Sequence, residues 1–400
     1  MKIVQINCVY ADGSTGKLTK SLHDYLLREG HESHVLYGRG RTHHEPGIHR
    51  VCSERYGQLN AVRSWITGLM YGGCFLSTRR IINFLKKTKP DVVHLQCING
   101  YFVNIYRLIT WLKENHVRTV LTLHAEFMFT GNCGHSYECD YWKTGCHDCP
   151  QLKHATKSLY FNRTHESWCK FRKAFEDFKE LDVVSVSPWL MERAKQSPIL
   201  AKANHRVILN GIDTSIFKPC KPHPIIEKLK SEDKKVILHV TPGFNLAPGH
   251  PKGGEYVVDL AYRLQNEKSA WKIVVAGPVT QDNFIPENIL TIGRITNQEE
   301  LASLYSGADV TLLTSKRETF SMVTAESLCC GTPVIGFKAG APEMIAIPNF
   351  STFVEHGDLS SLILPLKNHI ALEKLRIATE SIALYSSMNM CKNYMNVYTT

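Results

Sequence analysis

KIVQINCVYADGSTGKLTKSLHDYLLREGHESHVLYG, residues 2–38, decides the fold. It opens on an apolar run, residues 2–9, that reads as a strand. A loop with two glycines, residues 11–17, follows. Apolar residues then recur at Leu18, Leu22, Tyr25, Leu26 and Leu27, the spacing of a helix face. Gly30 is a helix stop, and ESHVLYG (32–38) is the next strand.

The same alternation continues outward. DVVHLQC (91–97), TVLTLHA (119–125) and VVSVS (183–187) are short strands, with a helical stretch around Ile105–Leu112. Near-continuous apolar strands separated by helices predict a parallel sheet covered on both faces. The pattern restarts with RVILNGID (206–213). KVILHVT (235–241), WKIVVAG (271–277), ILTIG (289–293), DVTLLTS (309–315) and TPVIGF (332–337) continue it, with helices at Gly254–Gln265 and Gln298–Ser306. The fold is therefore α/β, with two Rossmann-like doubly wound domains facing a central cleft, where ligand binding is expected. The boundaries read as 1–200, 201–375 and a helical tail, 376–400, that packs back on the first domain. The helical pattern of 371–400 breaks around Ser386–Ser387.

Composition narrows the class. Of 400 residues, 43% are hydrophobic and 21% charged, which excludes disorder, collagen and coiled coil. No apolar run approaches the ~18 residues that cross a bilayer. MKIVQINCVY reads as a strand, not a signal peptide, so a cytoplasmic location is expected. Thirteen cysteines without an export signal fit a reducing compartment. The net charge of +10 is uneven. Residues 1–200 hold 27 Lys and Arg against 18 Asp and Glu, and residues 201–400 hold 20 against 19. An anionic partner for the first half follows: nucleic acid, an acidic membrane or a phosphorylated substrate. Charge alone does not choose among them.

The most informative segment is KRETFSMVTAE, residues 316–326. It follows a buried-looking strand and opens a helix. Glu318 in the loop and Glu326 on the helix can face one ligand at the helix N-terminus, where backbone N–H groups favour an anion. A carboxylate accepts two hydrogen bonds and so can grip vicinal sugar hydroxyls. The bland alternative is a capped helix with a solvated glutamate. Around the segment lie HVTPG (239–243), KGG (252–254), ILTIGRITNQEELASLYSGADV (289–310) and SLCCGTPVIGFKAGAPEMI (327–345).

These segments, with NGIDTSIF (210–217), stand in the order and spacing of glycosyltransferase family 4, which the chain resembles along essentially its whole length. The resemblance implies a GT-B fold and retaining transfer from a nucleotide sugar. It gives Lys252 the leaving diphosphate, and Glu318 the donor sugar's hydroxyls and cationic transition state. Glu326 would hold the ribose hydroxyls. Ser321, Met322 and Val323 would offer backbone N–H groups, with Thr319 and Phe320 also lining the donor site. Asn210 and Gly211 would shape the interdomain turn. One departure stands out: TPGFNLAPGHP (241–251) lacks the family's second phosphate clamp, an arginine, for which Lys316 or Arg317 are substitutes.

In the first half, Gly13-Ser14-Thr15-Gly16-Lys17 joins strand to helix without the spacing of a GxxxxGK[ST] loop. On its own it is a tight turn; the resemblance turns it toward the donor phosphates. His124 ends a strand at the carboxyl edge, where parallel sheets place ligands. The family has His-Asp there. This chain has His124-Ala125-Glu126, and Glu126 is a candidate replacement for the Asp. The implied chemistry is same-face substitution, in which the leaving diphosphate takes the acceptor's proton and no catalytic metal is needed.

Cys133, Cys139, Cys146 and Cys149 lie in a loop, 131–150, at C-x5-C-x6-C-x2-C spacing. Four thiolates suit a structural zinc, ahead of an iron–sulfur centre, with His135 and His147 as substitute ligands. The plain alternative is four unligated thiols. Some family 4 enzymes that assemble polysaccharides carry a similar insertion. Ser64–Lys89 mixes Trp65, Ile66, Phe75 and Leu76 with Arg79, Arg80, Lys86, Lys87 and Lys89. It reads as a core helix with a basic side, or as contact with an anionic membrane bearing a lipid-diphosphate acceptor.

The primary expectation is transfer from a UDP- or GDP-sugar to a glycan or lipid-linked acceptor in capsule or O-antigen synthesis, peripheral on the inner face of the cell membrane. Another GT-B enzyme, such as a nucleotide-sugar epimerase, is the nearest alternative. A zinc-containing nucleic-acid binder is weaker, because the cysteines match no common finger and the basic excess avoids the second domain. Ala125 and the absent arginine leave a catalytically dead scaffold as a third.

Overall fold

The structure, a computed structural model, describes every residue except 268, 281–284 and 369–372. Residues 1–209 with 390–400 form one compact unit, and residues 210–389 a second.

In the first unit, β1 (Lys2–Asn7), β2 (Glu32–Tyr37), β3 (Ile48–Arg50), β4 (Val92–Leu95), β5 (Thr119–Leu123), β6 (Leu181–Ser185) and β7 (Asn204–Val207) make a sheet in the order β3-β2-β1-β4-β5-β6-β7. Every pairing is parallel, with Ile3 opposite both Ser33 and Val92. The connecting helices are α1 (Gly13–Arg28), α2 (Glu54–Thr67), α3 (Phe75–Thr88), α4 (Ile105–Glu114), α5 (Thr164–Phe175) and α6 (Pro188–Gln196). Leu18, Leu22, Tyr25 and Leu26 of α1 are buried, as their spacing requires, whereas Leu27 points outward. Two polar residues of β1 are buried and bonded: Gln5 accepts from Gln96 at 2.8 Å, and Asn7 from the Cys97 amide at 3.0 Å. They tie the central strand to the β4 end.

The second unit contains α7 (Pro224–Ser231), β8 (Lys235–Val240), α8 (Gly254–Asn266), β9 (Trp271–Ala276), β10 (Ile289–Thr291), α9 (Gln298–Gly307), β11 (Val310–Leu313), α10 (Met322–Cys329), β12 (Val334–Phe337), α11 (Pro342–Ile345), β13 (Ser351–Val354), α12 (Ile363–Asn368) and α13 (Lys374–Tyr385). Its sheet, also parallel, runs β10-β9-β8-β11-β12-β13. A core of Ile237, Val257, Leu260, Ile273, Val310, Leu312 and Ile335 fills the space between α8 and the sheet.

Several details differ from the sequence reading. The segment 206–213 does not open the second unit. Its first residues lie in β7, paired with β6, and the division falls at 209/210. The hydrophobic run continues across a unit boundary, so pattern alone misplaces it. Gly13–Lys17 is the first turn of α1 rather than a loop. The tail splits. α13 stays with the second unit, where Lys374 Nζ donates to the carbonyls of Ser306 and Ala308 at 2.6 Å. From Met390, α14 (Ser387–Thr399) belongs to the first unit: Tyr394, Val397 and Tyr398 join the core around Ile3, Val92 and Val120. The helical pattern's first residues, 371 and 372, lie outside the described residues. Ser64–Lys89 is divided between α2 and α3 by a turn at Gly68.

Candidate active site

In the second sheet the strand order reverses between β8 and β11, and loops leaving adjacent strand ends at such a point diverge to open a crevice. The turn after β8 carries Lys252, and the loop after β11 carries Glu318. Lys252 Nζ donates to Glu318 Oε1 at 2.6 Å.

The Lys252 turn is strapped to β11. Thr314 Oγ1 donates to the Lys252 carbonyl at 2.9 Å, and the Lys316 amide to the Pro251 carbonyl at 2.8 Å. Gly253 has φ +63°, and a Cβ there would stand 2.3 Å from the Thr314 carbonyl oxygen. A Cβ on Gly254 would stand 2.3 Å from the Asn245 carbonyl oxygen. Both glycines are therefore required for the backbone to pass this close. The side chain of Lys316, on the same strap, is exposed. Below, His239 is buried and hydrogen-bonded to the Leu312 carbonyl at 3.1 Å. Burial, with the nearby Lys252 charge adding to it, pushes its imidazole down to about 4.

Glu318 is held by backbone on both sides. Its amide donates to Ala339 O at 2.9 Å, and its carbonyl accepts from Ala341 N at 3.2 Å. The 339–341 turn is in turn held by Glu343, whose carboxylate accepts from the Ala339 and Gly340 amides at 3.0 and 2.9 Å. Ser321 then caps α10, its Oγ accepting from Thr324 N at 3.3 Å, with φ +80°. A non-glycine residue in that region is strained, and such strain clusters at functional sites. Met322 and Val323 occupy the first helical positions, whose N–H groups have no carbonyl four residues back to reach. One turn on, Glu326 Oε2 accepts from Tyr305 OH at 3.3 Å, and Tyr305 is wholly buried. Thr319 is half-buried, while the Phe320 ring is sunk into the core, so its side chain is withdrawn from the surface of the loop. Asn210 is buried at the first position of the second unit.

Sequence reasoning missed Tyr305, Glu343 and Thr314 as supports. Both Tyr305 and Glu343 lie in segments already singled out. Tyr305 meets Glu326 across 21 residues, a tertiary bond that no local spacing encodes, whereas Glu343 binds amides only three and four residues back, inside the turn itself.

His124, Gly13 and Gly16 belong to the first unit. His124 leaves β5, and burial pushes its imidazole down to about 4, so it is neutral at physiological pH. Glu126 does not serve as its replacement aspartate. Its wholly buried carboxylate accepts from Ser136 N at 2.7 Å and pairs with Arg193 at 3.1 Å, anchoring the loop that follows. Gly13 has φ +63° with open space around it; a Cβ on Gly16 would stand 3.2 Å from Ala11 N.

In that loop Cys133, Cys139, Cys146 and Cys149 line one cavity of about 20 Å³ with Trp142 and Thr164. Cys146 Sγ accepts from the Gly131 amide at 3.0 Å. Burial pushes the Cys146 thiol up to about 12 and raises Cys149. Among the described residues, no group of three or more His, Cys, Asp or Glu is set to hold a metal ion as it stands. His135 and His147 do not line the cavity; His147 stacks on His165 instead, ring centres 3.9 Å apart.

Two parallel α/β units, with this constellation at the switch point of the second, define a GT-B glycosyltransferase. Sucrose-phosphate synthase from Thermosynechococcus elongatus has the same fold, with a TM-score of 0.67 at 16% identity, over 100% of this chain and 98% of that one. So has Alr3699/HepE of Anabaena in complex with UDP-glucose, with a TM-score of 0.61 at 14% identity over 100% and 99%. The chain belongs to glycosyltransferase family 4: the profile of Glycosyltransferase Family 4 matches residues 15–216, and that of Glycosyl transferases group 1 matches residues 225–376. WcaC of Escherichia coli (strain K12), named as a colanic acid biosynthesis glycosyl transferase, is 24% identical over 100% of this chain and 99% of its own. A GDP-mannose-dependent alpha-mannosyltransferase of Mycobacterium tuberculosis is 24% identical over 84% of this chain and 78% of its own.

Proposed function

We propose that this chain is a retaining hexosyltransferase that moves a sugar from UDP- or GDP-sugar to a glycan or lipid-linked acceptor in cell-surface polysaccharide synthesis, working in the cytoplasm. The observation that carries it is the Lys252–Glu318 pair, a cation and a carboxylate preset on adjacent loops of the switch point. The full-length similarity to WcaC supports the polysaccharide setting. UDP-glucose in the HepE structure and GDP-mannose in the name of the mycobacterial relative support the donor class.

In this reading the donor separates the pair. Lys252 turns to the diphosphate, and Glu318 to the sugar hydroxyls. Met322 and Val323 offer N–H groups to the phosphates, and Glu326 takes the ribose. The acceptor hydroxyl oxygen bonds to the anomeric carbon as the bond to the diphosphate oxygen breaks on the same face. The hydroxyl's proton passes to that leaving oxygen, and a nucleoside diphosphate departs. The protein's contribution is position and preset charge. His124, neutral, is a hydrogen-bonding partner for the donor sugar, with Gly13 and Gly16 on the same first unit. Lys316 or Arg317 stands in for the absent arginine. A panel of UDP- and GDP-sugars, read by thermal stabilisation and slow donor hydrolysis, tests this. Stabilisation by one donor and an α-anomeric product from an α-donor support it; no response to any nucleotide sugar overturns it.

We propose further that zinc draws the four cysteine thiolates onto the shared cavity and braces the loop. The gathering of four sulfurs around one small space supports this, and the metal takes no part in the transfer. Elemental analysis of the purified chain should find one zinc per chain, lost in Cys146→Ser; a metal-free, equally stable chain overturns it.

A further inference from the structure

Residues 55–90 contain seven Lys and Arg and no Asp or Glu, the acid that opens α2, Glu54, being paired with Arg39 and Arg50. Residues 151–162 add Lys153 and Lys157 with no acid, while Arg163 is paired with Glu166 at 2.6 Å. Large apolar side chains stand exposed on the same ground. α2 presents Leu59, Val62 and Ile66, at spacings of three and four that share a helix face. α3 opens with exposed Phe75 and Leu76. In the loop before α5, Leu159, Tyr160 and Phe161 are 55, 72 and 58% exposed.

These pieces form one surface. The Leu159 amide donates to the Trp65 carbonyl at 2.8 Å. A Cβ on Gly68 would stand 2.1 Å from the Phe161 carbonyl oxygen, so the loop lies directly on the end of α2. The Arg63 guanidinium lies 5.4 Å from the Phe75 ring, and Tyr56 OH accepts from the Leu76 amide at 3.1 Å. Isolated exposed apolar residues are ordinary, but eight on adjoining elements mark a contact surface.

Charge identifies the occupant. Arg79 and Arg80 follow Phe75 and Leu76 by one turn on the same faces, Arg55 precedes Leu59 by one turn, and Lys153 and Lys157 lead into Leu159. Apolar tips ringed by cations, with no acid in either segment, match a bilayer whose headgroups are anionic. We propose that the first unit docks on an anionic lipid bilayer through α2, the start of α3 and the loop 157–163. The sequence reading confined such contact to Ser64–Lys89; the geometry adds Leu159-Tyr160-Phe161 to it. The inference needs neither the donor nor the acceptor of the preceding section.

The test is co-sedimentation of the full chain with vesicles of phosphatidylcholine alone or mixed equally with phosphatidylglycerol. Binding to the mixed vesicles only, weakened by salt, is expected. Arg79→Glu with Arg80→Glu should weaken it by about thirtyfold or more, at roughly a fivefold loss per cation. Leu159→Ser, Tyr160→Ser and Phe161→Ser together should weaken it about tenfold or more. Nucleotide-sugar stabilisation and melting temperature should stay at wild-type values; if the triple variant unfolds, Tyr160→Ser alone carries the test. Equal binding to both vesicle types, or unchanged binding by the variants, overturns the proposal. So does a dimer that Ile66→Glu dissolves while no vesicle is bound, which would assign the surface to a second copy of the chain.

Discussion

Lys252 Nζ and Glu318 Oε1 stand 2.6 Å apart, although 66 residues separate them in the chain. Their side chains are 33% and 20% exposed, so the pair is open to water and worth little to the fold. Under the proposed function, two opposite charges preset on adjacent loops, at small stabilising value, are a poised binding device. Lys252→Ala and Glu318→Gln should each lower turnover by about 10²–10³, the usual cost of removing one preorganised group from a charged transition state. Melting temperature should move little. Steady-state kinetics beside a thermal melt checks both, and unchanged turnover removes the assigned roles.

Tyr305 supports Glu326 from below. Its hydroxyl donates to Oε2 at 3.3 Å, and burial, with the Glu326 charge adding to it, raises the phenol well above its ordinary value. Tyr305→Phe keeps the ring and removes only the bond. Loss of one such bond, about 0.5–1.5 kcal/mol, predicts a donor KM raised about two- to tenfold with kcat nearly unchanged. A KM unchanged in that variant would mean Glu326 needs no support.

The two parallel sheets were legible, because strand periodicity is a local feature, and the sequence named Lys252 and Glu318 as candidates before the fold brought them to 2.6 Å. Gly253 was readable as a special position, but not the reason, a Thr314 carbonyl 2.3 Å from its missing Cβ. The split of the tail was also hidden. Tyr394 and Tyr398 look like any helix face until their hydroxyls meet Thr122 and His94, at 2.9 and 2.6 Å, about 300 residues back. Glu126 was read toward His124 because it is two residues away, whereas burial commits it to Ser136 and Arg193.

That commitment has a measurable consequence. Glu126 is wholly buried and the Arg193 side chain is 16% exposed, and Arg193 also donates to Ser136 Oγ and lies over the Trp142 ring at 4.9 Å. Glu126→Ala leaves a buried guanidinium without its carboxylate. A loss of about 3–5 kcal/mol follows. Replacing both, Glu126→Leu with Arg193→Met, should recover part of that loss. Chemical denaturation of the three chains measures it; a single variant as stable as the parent would show the pair to be incidental.

Acid should unfold the protein before its carboxylates titrate. Burial holds His94 down at about 3, and His124 and His239 at about 4, from an ordinary value of 6.5. A histidine with a lowered folded pKa binds fewer protons folded than unfolded, so its contribution is complete above 6.5 and is lost as pH falls toward the folded value. Each costs up to about 1.4 kcal/mol per pH unit within that window. His94 and His124 lie in the first unit and His239 in the second, so both units weaken together. Urea midpoints should therefore fall steeply between pH 6.5 and 5, above the ordinary carboxylate range. His239→Asn places an amide N–H near the position of Nδ1, so it can still donate to the Leu312 carbonyl but does not titrate, and should flatten the second unit's share of the slope. A stability flat from pH 7 to 5 would require these imidazoles to be protonated in the folded chain, and His124 then could not be the neutral partner of the donor sugar.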